Sequence, residues 1–127
     1  MTVPVDAPRT ARPAPAFIWA ALILVLTSLP GRVVPAVGIP HLDKVVHATL
    51  YAVLAALAAR ALWSTQRRRA LLVAAVCASL FGAFDEWHQQ FIPGRSDDRY
   101  DWAADTIGAS IGVLITAAAR ARRESTS

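Results

Sequence analysis

Four apolar runs, separated by segments rich in proline or charge, restrict this chain to a helical membrane fold. They span Phe17–Leu29, Val45–Trp63, Ala70–Phe84 and Trp102–Ala119. A helix needs about 20 apolar residues to cross a bilayer, and flanking residues extend the shorter runs toward that length. The first run is the shortest, and the core of a signal peptide is the alternative reading of it. The sequence therefore predicts an all-α, integral membrane four-helix bundle.

The composition points to the same class of protein. The chain has 127 residues, enough for one domain, and is 55% hydrophobic and only 17% charged; soluble domains are about 45–50% apolar. We expect a disordered cytoplasmic tail over 1–15, a four-span membrane domain over 16–120 and a short basic tail over 121–127. The single cysteine, Cys77, lies inside an apolar run, and we expect it to be buried as a small apolar residue.

The distribution of basic residues predicts the orientation in the membrane. Nine arginines fall at one end of a four-span arrangement: Arg9, Arg12, Arg60, Arg67, Arg68, Arg69, Arg120, Arg122 and Arg123. The other end has four basic residues: Arg32, Lys44, Arg95 and Arg99. Cytoplasmic loops carry the excess of basic residues, so both termini are predicted to be cytoplasmic in the plasma membrane. Because the basic residues flank apolar runs and do not line one soluble face, they do not indicate a nucleic-acid partner.

Polar residues concentrate at the end of the bundle that this orientation places outside. Ionisable groups at membrane depth are costly and persist mainly where they face one another or a wet cavity. Asp43 and His47 are one helical turn apart, as are Asp101 and Asp105. We predict an outward-facing polar pocket whose ligand-binding residues are Asp43, Lys44, His47, Glu86, Gln89, Arg95, Asp101 and Asp105.

The same residues allow other readings. Arg95 or Lys44 would satisfy Glu86 and Asp105 in a purely structural polar clamp. Metal donors are present in Asp43, His47, Glu86, His88 and Asp101. No closed ligand motif such as HExxH accompanies them, so neither a metal nor a cofactor is predicted. Gly108 and Gly112 form a GxxxG motif, which allows close helix packing within the bundle or at a homodimer seam.

The motif order in this region resembles the VanZ-like family. It reads Asp43-Lys44-x-x-His47 followed by Tyr51, then Glu86-x-x-Gln89-x-Phe91-x-Pro93-Gly94-Arg95, then Asp101 and Gly108-Ala109-x-x-Gly112. The resemblance covers residues 43–112. It implies a small multi-span membrane protein; the namesake is associated with low-level teicoplanin resistance. This chain departs from the family at Asp105, where asparagine is frequent, and in the additional acid Asp85.

Three functions follow as hypotheses. The first is recognition of a cell-envelope component, such as a lipid-linked wall precursor, or modulation of glycopeptide susceptibility. The second is an enzyme acting on a lipid-linked substrate at the outer leaflet, with Glu86 or Asp101 as the general acid or base and Arg95 holding phosphate. A transporter is the third, although four short spans leave little room for a midplane site. The expected partners are membrane lipids and a wall precursor or glycopeptide, with a homo-oligomer as an alternative.

Overall fold

The computed structural model describes residues 12–33, 38–64 and 66–126. Within these residues the protein is built from four α-helices. The helices are α1 (Ala14–Thr27), α2 (Leu42–Ala61), α3 (Arg67–Gln89) and α4 (Arg99–Ser125), with a short 3₁₀ turn over Gly31–Val33 between the first two. The described segments contain no β-strand. The predicted all-α class is confirmed.

Three of the helices have the length and composition needed to cross a membrane. These are α2, α3 and α4, with 20, 23 and 27 residues. The apolar helix α1 has only 14 residues, or about 21 Å at 1.5 Å per residue, which is less than the roughly 30 Å of a hydrocarbon core. The crossing of α1 therefore stays a prediction, whereas the structure and composition of the other three helices support a membrane protein.

Both chain ends are more helical than the sequence suggested. Within the predicted disordered tail over 1–15, residues 1–11 lie outside the described segments, but α1 already begins at Ala14 with Pro15 in its first turn. Proline is tolerated there because the first N–H groups of a helix have no intrahelical acceptor. Helix α4 continues beyond the fourth apolar run and through the last arginines to Ser125. Arginine is a good helix former and is favourable near a helix C-terminus.

Small residues let α2 and α4 approach closely. A Cβ added at Gly108 would overlap the backbone carbonyl of Ala48, and one added at Gly112 would overlap that of Ala52. Both glycines are buried against α2, which leaves neither of them available to a second chain. The GxxxG motif therefore serves packing within this bundle.

The remaining apolar side chains separate into a narrow core and a wide outer surface. The fully buried core positions include Ile23 of α1, Tyr51 and Ala55 of α2, Ala74 of α3 and Ala109 of α4. Large apolar side chains cover the outside, among them Leu72, Leu80, Ile107 and Leu114, as expected of helices that face lipid. The expectation that Cys77 is buried was wrong because it is exposed; the buried face of α3 is the stripe of Ala70, Ala74, Ala78 and Gly82, which repeats every four residues.

The alternating direction of the helices gives the bundle two different ends. At one end Arg67 forms a 2.7 Å ion pair with Glu124, and Arg120 lies over the ring of Trp63. We call this the basic end. The other end gathers the C-termini of α1 and α3 with the N-termini of α2 and α4, and we call it the polar end.

Candidate functional site

The outer part of the polar end is organised by one lysine. Lys44 Nζ donates hydrogen bonds to Asp43 Oδ2 at 2.9 Å, to Asp98 Oδ2 at 2.8 Å and to Asp101 Oδ1 at 2.6 Å. Asp98 also caps α4, because its Oδ1 accepts the N–H of Tyr100 at 2.8 Å. The hydrogen bond from Lys44, followed by that from Tyr100, lowers the pKa of Asp98 below its usual value. Lys44 therefore fixes the start of α2 against the start of α4.

A buried histidine organises the inner part. His47 Nδ1 lies 2.9 Å from Asp105 Oδ1 and 3.8 Å from Glu86 Oε1, and its Nε2 lies 3.9 Å from Asp101 Oδ2. The side chains of His47, Glu86 and Asp105 are each less than one-tenth exposed. One imidazole thus joins acidic side chains from α3 and α4.

The two oxygens of Glu86 are held by different partners. Its Oε2 accepts the backbone N–H of Asp98 at 2.9 Å, and its Oε1 accepts Gln89 Nε2 at 3.3 Å. The same Gln89 amide donates to Asp85 Oδ2 at 3.3 Å. Glu86 consequently ties the last turn of α3 to the N-cap of α4, and Gln89 keeps two neighbouring carboxylates in place.

The first helix reaches this cluster through a threonine. The Thr27 hydroxyl donates a 2.6 Å hydrogen bond to Asp85 Oδ1, and both residues are buried. Neither residue belonged to the predicted site, although the one-turn spacing of Asp85 and Gln89 was a usable signal for the acid. Thr27 gave no comparable signal, because it stands alone near the end of an apolar run.

Arg95 contacts the end of α1 and not the acidic cluster. Its guanidinium donates to the backbone carbonyls of Leu29 and Leu26, at 3.2 Å and 3.4 Å. Within residues 12–33, 38–64 and 66–126 it forms no ion pair with Glu86 or with another carboxylate. Gly31 N–H also donates to the carbonyl of Pro93 at 3.1 Å. Arg95 and its turn therefore hold the C-terminal end of α1, where orphan carbonyls favour a cation.

The structure brings together most, but not all, of the residues singled out in the sequence. Lys44, His47, Glu86, Gln89, Asp101 and Asp105 form one connected cluster. Asp43 is at its exposed edge, bonded only to Lys44 among the residues described. The ring of His88 stacks on Phe84 along the same helix and is not part of the cluster.

The cluster is rich in acid. Asp85, Glu86 and Asp105 are buried together with one imidazole, while the ammonium of Lys44 is engaged by the outer acids. One buried oxygen of this group, Asp105 Oδ2, has no hydrogen-bond partner among the described residues. Such an arrangement can accept hydrogen bonds from a ligand or bind a cation.

This fold and this cluster define an α-helical membrane protein with its ionisable groups gathered at one end of the bundle. The chain belongs to the VanZ/LLP1 family, whose model matches residues 10–120. The family resemblance predicted from the motifs over residues 43–112 is confirmed. No curated protein and no solved structure matches the chain significantly.

Proposed function

We propose that the polar end binds a cell-envelope component, such as a lipid-linked wall precursor, and thereby modulates susceptibility to glycopeptides such as teicoplanin. The observation that carries this proposal is the convergence of α2, α3 and α4 on one buried network around His47. A protein of this class keeps ionisable groups at membrane depth mainly for function, because their desolvation is costly. Membership of the VanZ/LLP1 family supports the same assignment at the level of the family.

The surface around the polar end suits a ligand with a polar head and a lipid tail. Exposed aromatic side chains flank the cluster at Trp87, Phe91, Tyr100 and Trp102. Aromatic residues of membrane proteins collect at the headgroup level. A lipid-linked precursor would place its head against the acidic edge at Asp43 and its tail along the apolar outer surface.

The charge of the site indicates which part of a ligand it would bind. Acids outnumber bases, and the Asp43 side chain is 59% exposed at the edge of the cluster. An ionised carboxylate accepts hydrogen bonds but has no hydrogen to donate. The ligand would therefore contribute donors, such as the ammonium, amide and hydroxyl groups of a peptide or sugar.

The position of Arg95 favours recognition over catalysis. The enzymatic alternative needs Glu86 or Asp101 as acid or base and Arg95 to hold a phosphate. The guanidinium instead donates to the carbonyls at the end of α1. A phosphate ligand would have to displace those bonds, so the alternative predicts that substrate addition loosens α1.

Binding to purified protein tests the proposal. We would reconstitute the wild type, Glu86→Gln, Asp101→Asn and Glu124→Gln in nanodiscs and titrate a lipid-linked wall precursor. Glu124 is the matched control because it is a carboxylate in an ion pair at the basic end. We expect each change at the polar end to weaken binding about tenfold or more, equal to ~1.4 kcal/mol, with glycopeptide susceptibility changing in parallel. Absence of binding by the wild type, or equal loss in Glu124→Gln, contradicts the proposal; precursor turnover supports the enzyme.

A further inference from the structure

We propose that His47, Glu86 and Asp105 form a binding site for a divalent transition-metal ion. One donor atom from each residue lies within 4.8 Å of the others. Two of the separations are 2.9 Å and 3.8 Å, from His47 Nδ1 to Asp105 Oδ1 and to Glu86 Oε1. Donors around a tetrahedral Zn²⁺ with bonds of about 2.1 Å stand about 3.4 Å apart. Small side-chain movements would therefore bring the three donors into coordination.

The charge balance of the inner cluster supports a cation at this position. Asp85, Glu86 and Asp105 are all buried, and the imidazole of His47 is the single basic side chain hydrogen-bonded within this inner group. The ammonium of Lys44 is directed at the outer acids. Buried charges are normally paired or coordinate a metal, and a divalent ion would supply the missing positive charge.

An unpartnered buried oxygen provides a second, independent observation. Asp105 is fully buried, and its Oδ2 has no hydrogen-bond partner among the described residues. The hydroxyl of Tyr51, also fully buried, lies beside Asp85. Buried polar atoms without partners are rare in native structures, and an ion or water that satisfies them is a usual explanation.

The surroundings hold the donors as metal ligands are commonly held. Gln89 and the N–H of Asp98 fix the two oxygens of Glu86. His47 Nε2 faces Asp101 at 3.9 Å, and Lys44 holds that aspartate. A metal-bound histidine donates its other ring N–H to a carboxylate, a backbone carbonyl or water, and such partners orient the ligands; Asp101 is the carboxylate nearest to that nitrogen here, although 3.9 Å is longer than a hydrogen bond.

The donor set indicates the class of metal. One imidazole nitrogen with two carboxylate oxygens suits Zn²⁺ better than Mg²⁺ or Ca²⁺, which prefer oxygen alone. Three protein ligands leave a coordination position for water or for an oxygen of a ligand. The site lies inside the cluster that the proposed function uses, but metal binding does not require that function and is measured without the envelope ligand.

Metal titration of chelator-treated protein in detergent tests the proposal. The wild type, His47→Gln, Asp105→Asn and the control Glu124→Gln are titrated with Zn²⁺, Mg²⁺ and Ca²⁺ in a calorimeter. Glu124 is a carboxylate paired with Arg67 at the basic end of the bundle and is not one of the three donors. We expect one Zn²⁺ per wild-type chain and unchanged affinity in Glu124→Gln. Loss of partners that only orient ligands typically costs 10–100-fold in affinity, so we expect a loss of ~100-fold or more in the two ligand variants.

If a variant fails to fold, Co²⁺ absorption spectra of the wild type still test the site, because they need no variant. A visible band typical of four- or five-coordinate Co²⁺, displaced by one equivalent of Zn²⁺, supports the site. The metal site is overturned if the folded wild type binds no Zn²⁺ or if folded Asp105→Asn binds Zn²⁺ with the same affinity as the wild type. Protons on the buried carboxylates would then balance their charge. A folded wild type that binds the precursor but no Zn²⁺ rejects the metal site alone, whereas a wild type that binds Zn²⁺ but no precursor rejects the proposed function alone.

Discussion

The hydroxyl of Thr27 donates a 2.6 Å hydrogen bond to the buried carboxylate of Asp85. This bond is the side-chain link between α1 and the polar cluster, and the backbone contacts of the α3–α4 turn with the end of α1 reinforce it. These contacts at the C-terminal end of α1 add to the hydrogen bond from Trp19 Nε1 to the carbonyl of Leu50 and to the burial of Ile23 in the core. The site and the placement of the first helix are therefore coupled.

Replacing Thr27 with valine should destabilise the bundle. The change keeps the branched shape but leaves Asp85 Oδ1 buried without its donor, which costs about 1–3 kcal/mol. Thr49→Val is the matched control, since Thr49 is exposed and its hydroxyl bonds only the carbonyl of Val45 on its own helix. Thermal unfolding in detergent measures both. Equal melting temperatures for the two variants would show that the bond to Asp85 contributes little.

Glu86 and Arg95 should behave as independent residues in a double-mutant cycle. Their side chains bind different partners, the N–H of Asp98 and the carbonyls of Leu29 and Leu26. The effects of two substitutions on the free energy of unfolding usually add to within about 0.5 kcal/mol when the two residues share no partners. We expect Glu86→Gln and Arg95→Gln to have additive effects on unfolding in detergent. Restored stability in the double variant would instead identify an ion pair, and the cost of breaking a truly buried one is about 3–5 kcal/mol.

The sequence predicted the helices and the residues near the site better than it predicted their pairing. Apolar runs and one-turn spacings are local properties, so they indicate helices and the side chains that share a face. The partner of Arg95 depends on where the end of α1 lies, and that position follows from contacts between residues 66 and 69 apart in the chain. Thr27 was missed for the same reason, because its acceptor is 58 residues away.

The exposure of Cys77 has a similar explanation. Its type suggested burial, but the outside of a membrane bundle is also apolar, so hydrophobicity does not separate the core from the lipid-facing surface. The small residues are the better guide to the core of α3, since Ala74 and Ala78 are buried and Cys77 between them is exposed.

Gly112→Leu should disrupt the bundle far more than Ala118→Leu. A side chain at Gly112 would overlap the backbone of Ala52, whereas Ala118 is exposed further along the same helix. Close backbone approach at small residues is what holds such helices together. Membrane accumulation and melting in detergent measure the effect. If both variants accumulate and melt like the wild type, α4 does not cross α2 closely at this glycine.

The contribution of Lys44 to stability should depend on pH. Because Lys44 lowers the pKa of Asp98, the stabilisation from this pair is complete above the unfolded value of about 3.9. It disappears as the pH falls through the lower pKa of the folded state. We expect Lys44→Gln to be less stable than the wild type at pH 7, with the difference shrinking below about pH 4.

Unfolding of wild type and Lys44→Gln across this range measures that dependence. Arg67→Gln is the control, because Arg67 forms its ion pair with Glu124 where both side chains are about half exposed, and exposed pairs contribute little. A difference between wild type and Lys44→Gln that stays constant from pH 7 to pH 3 would contradict the role given to Asp98.

The last prediction concerns the direction of the bundle and the crossing of α1. The excess of arginine at the basic end predicts that Arg12 and Ser125 lie in the cytoplasm and Asp97 outside. We would introduce single cysteines at these positions in a Cys77→Ala background, which is needed because Cys77 is exposed. An impermeant thiol reagent applied to intact cells should label only the Asp97→Cys protein. Labelling of the Ser125→Cys protein would show that the orientation is the reverse of the one predicted. Labelling at Arg12→Cys alongside Asp97→Cys would mean that the 14-residue α1 does not cross and that the chain spans the membrane three times.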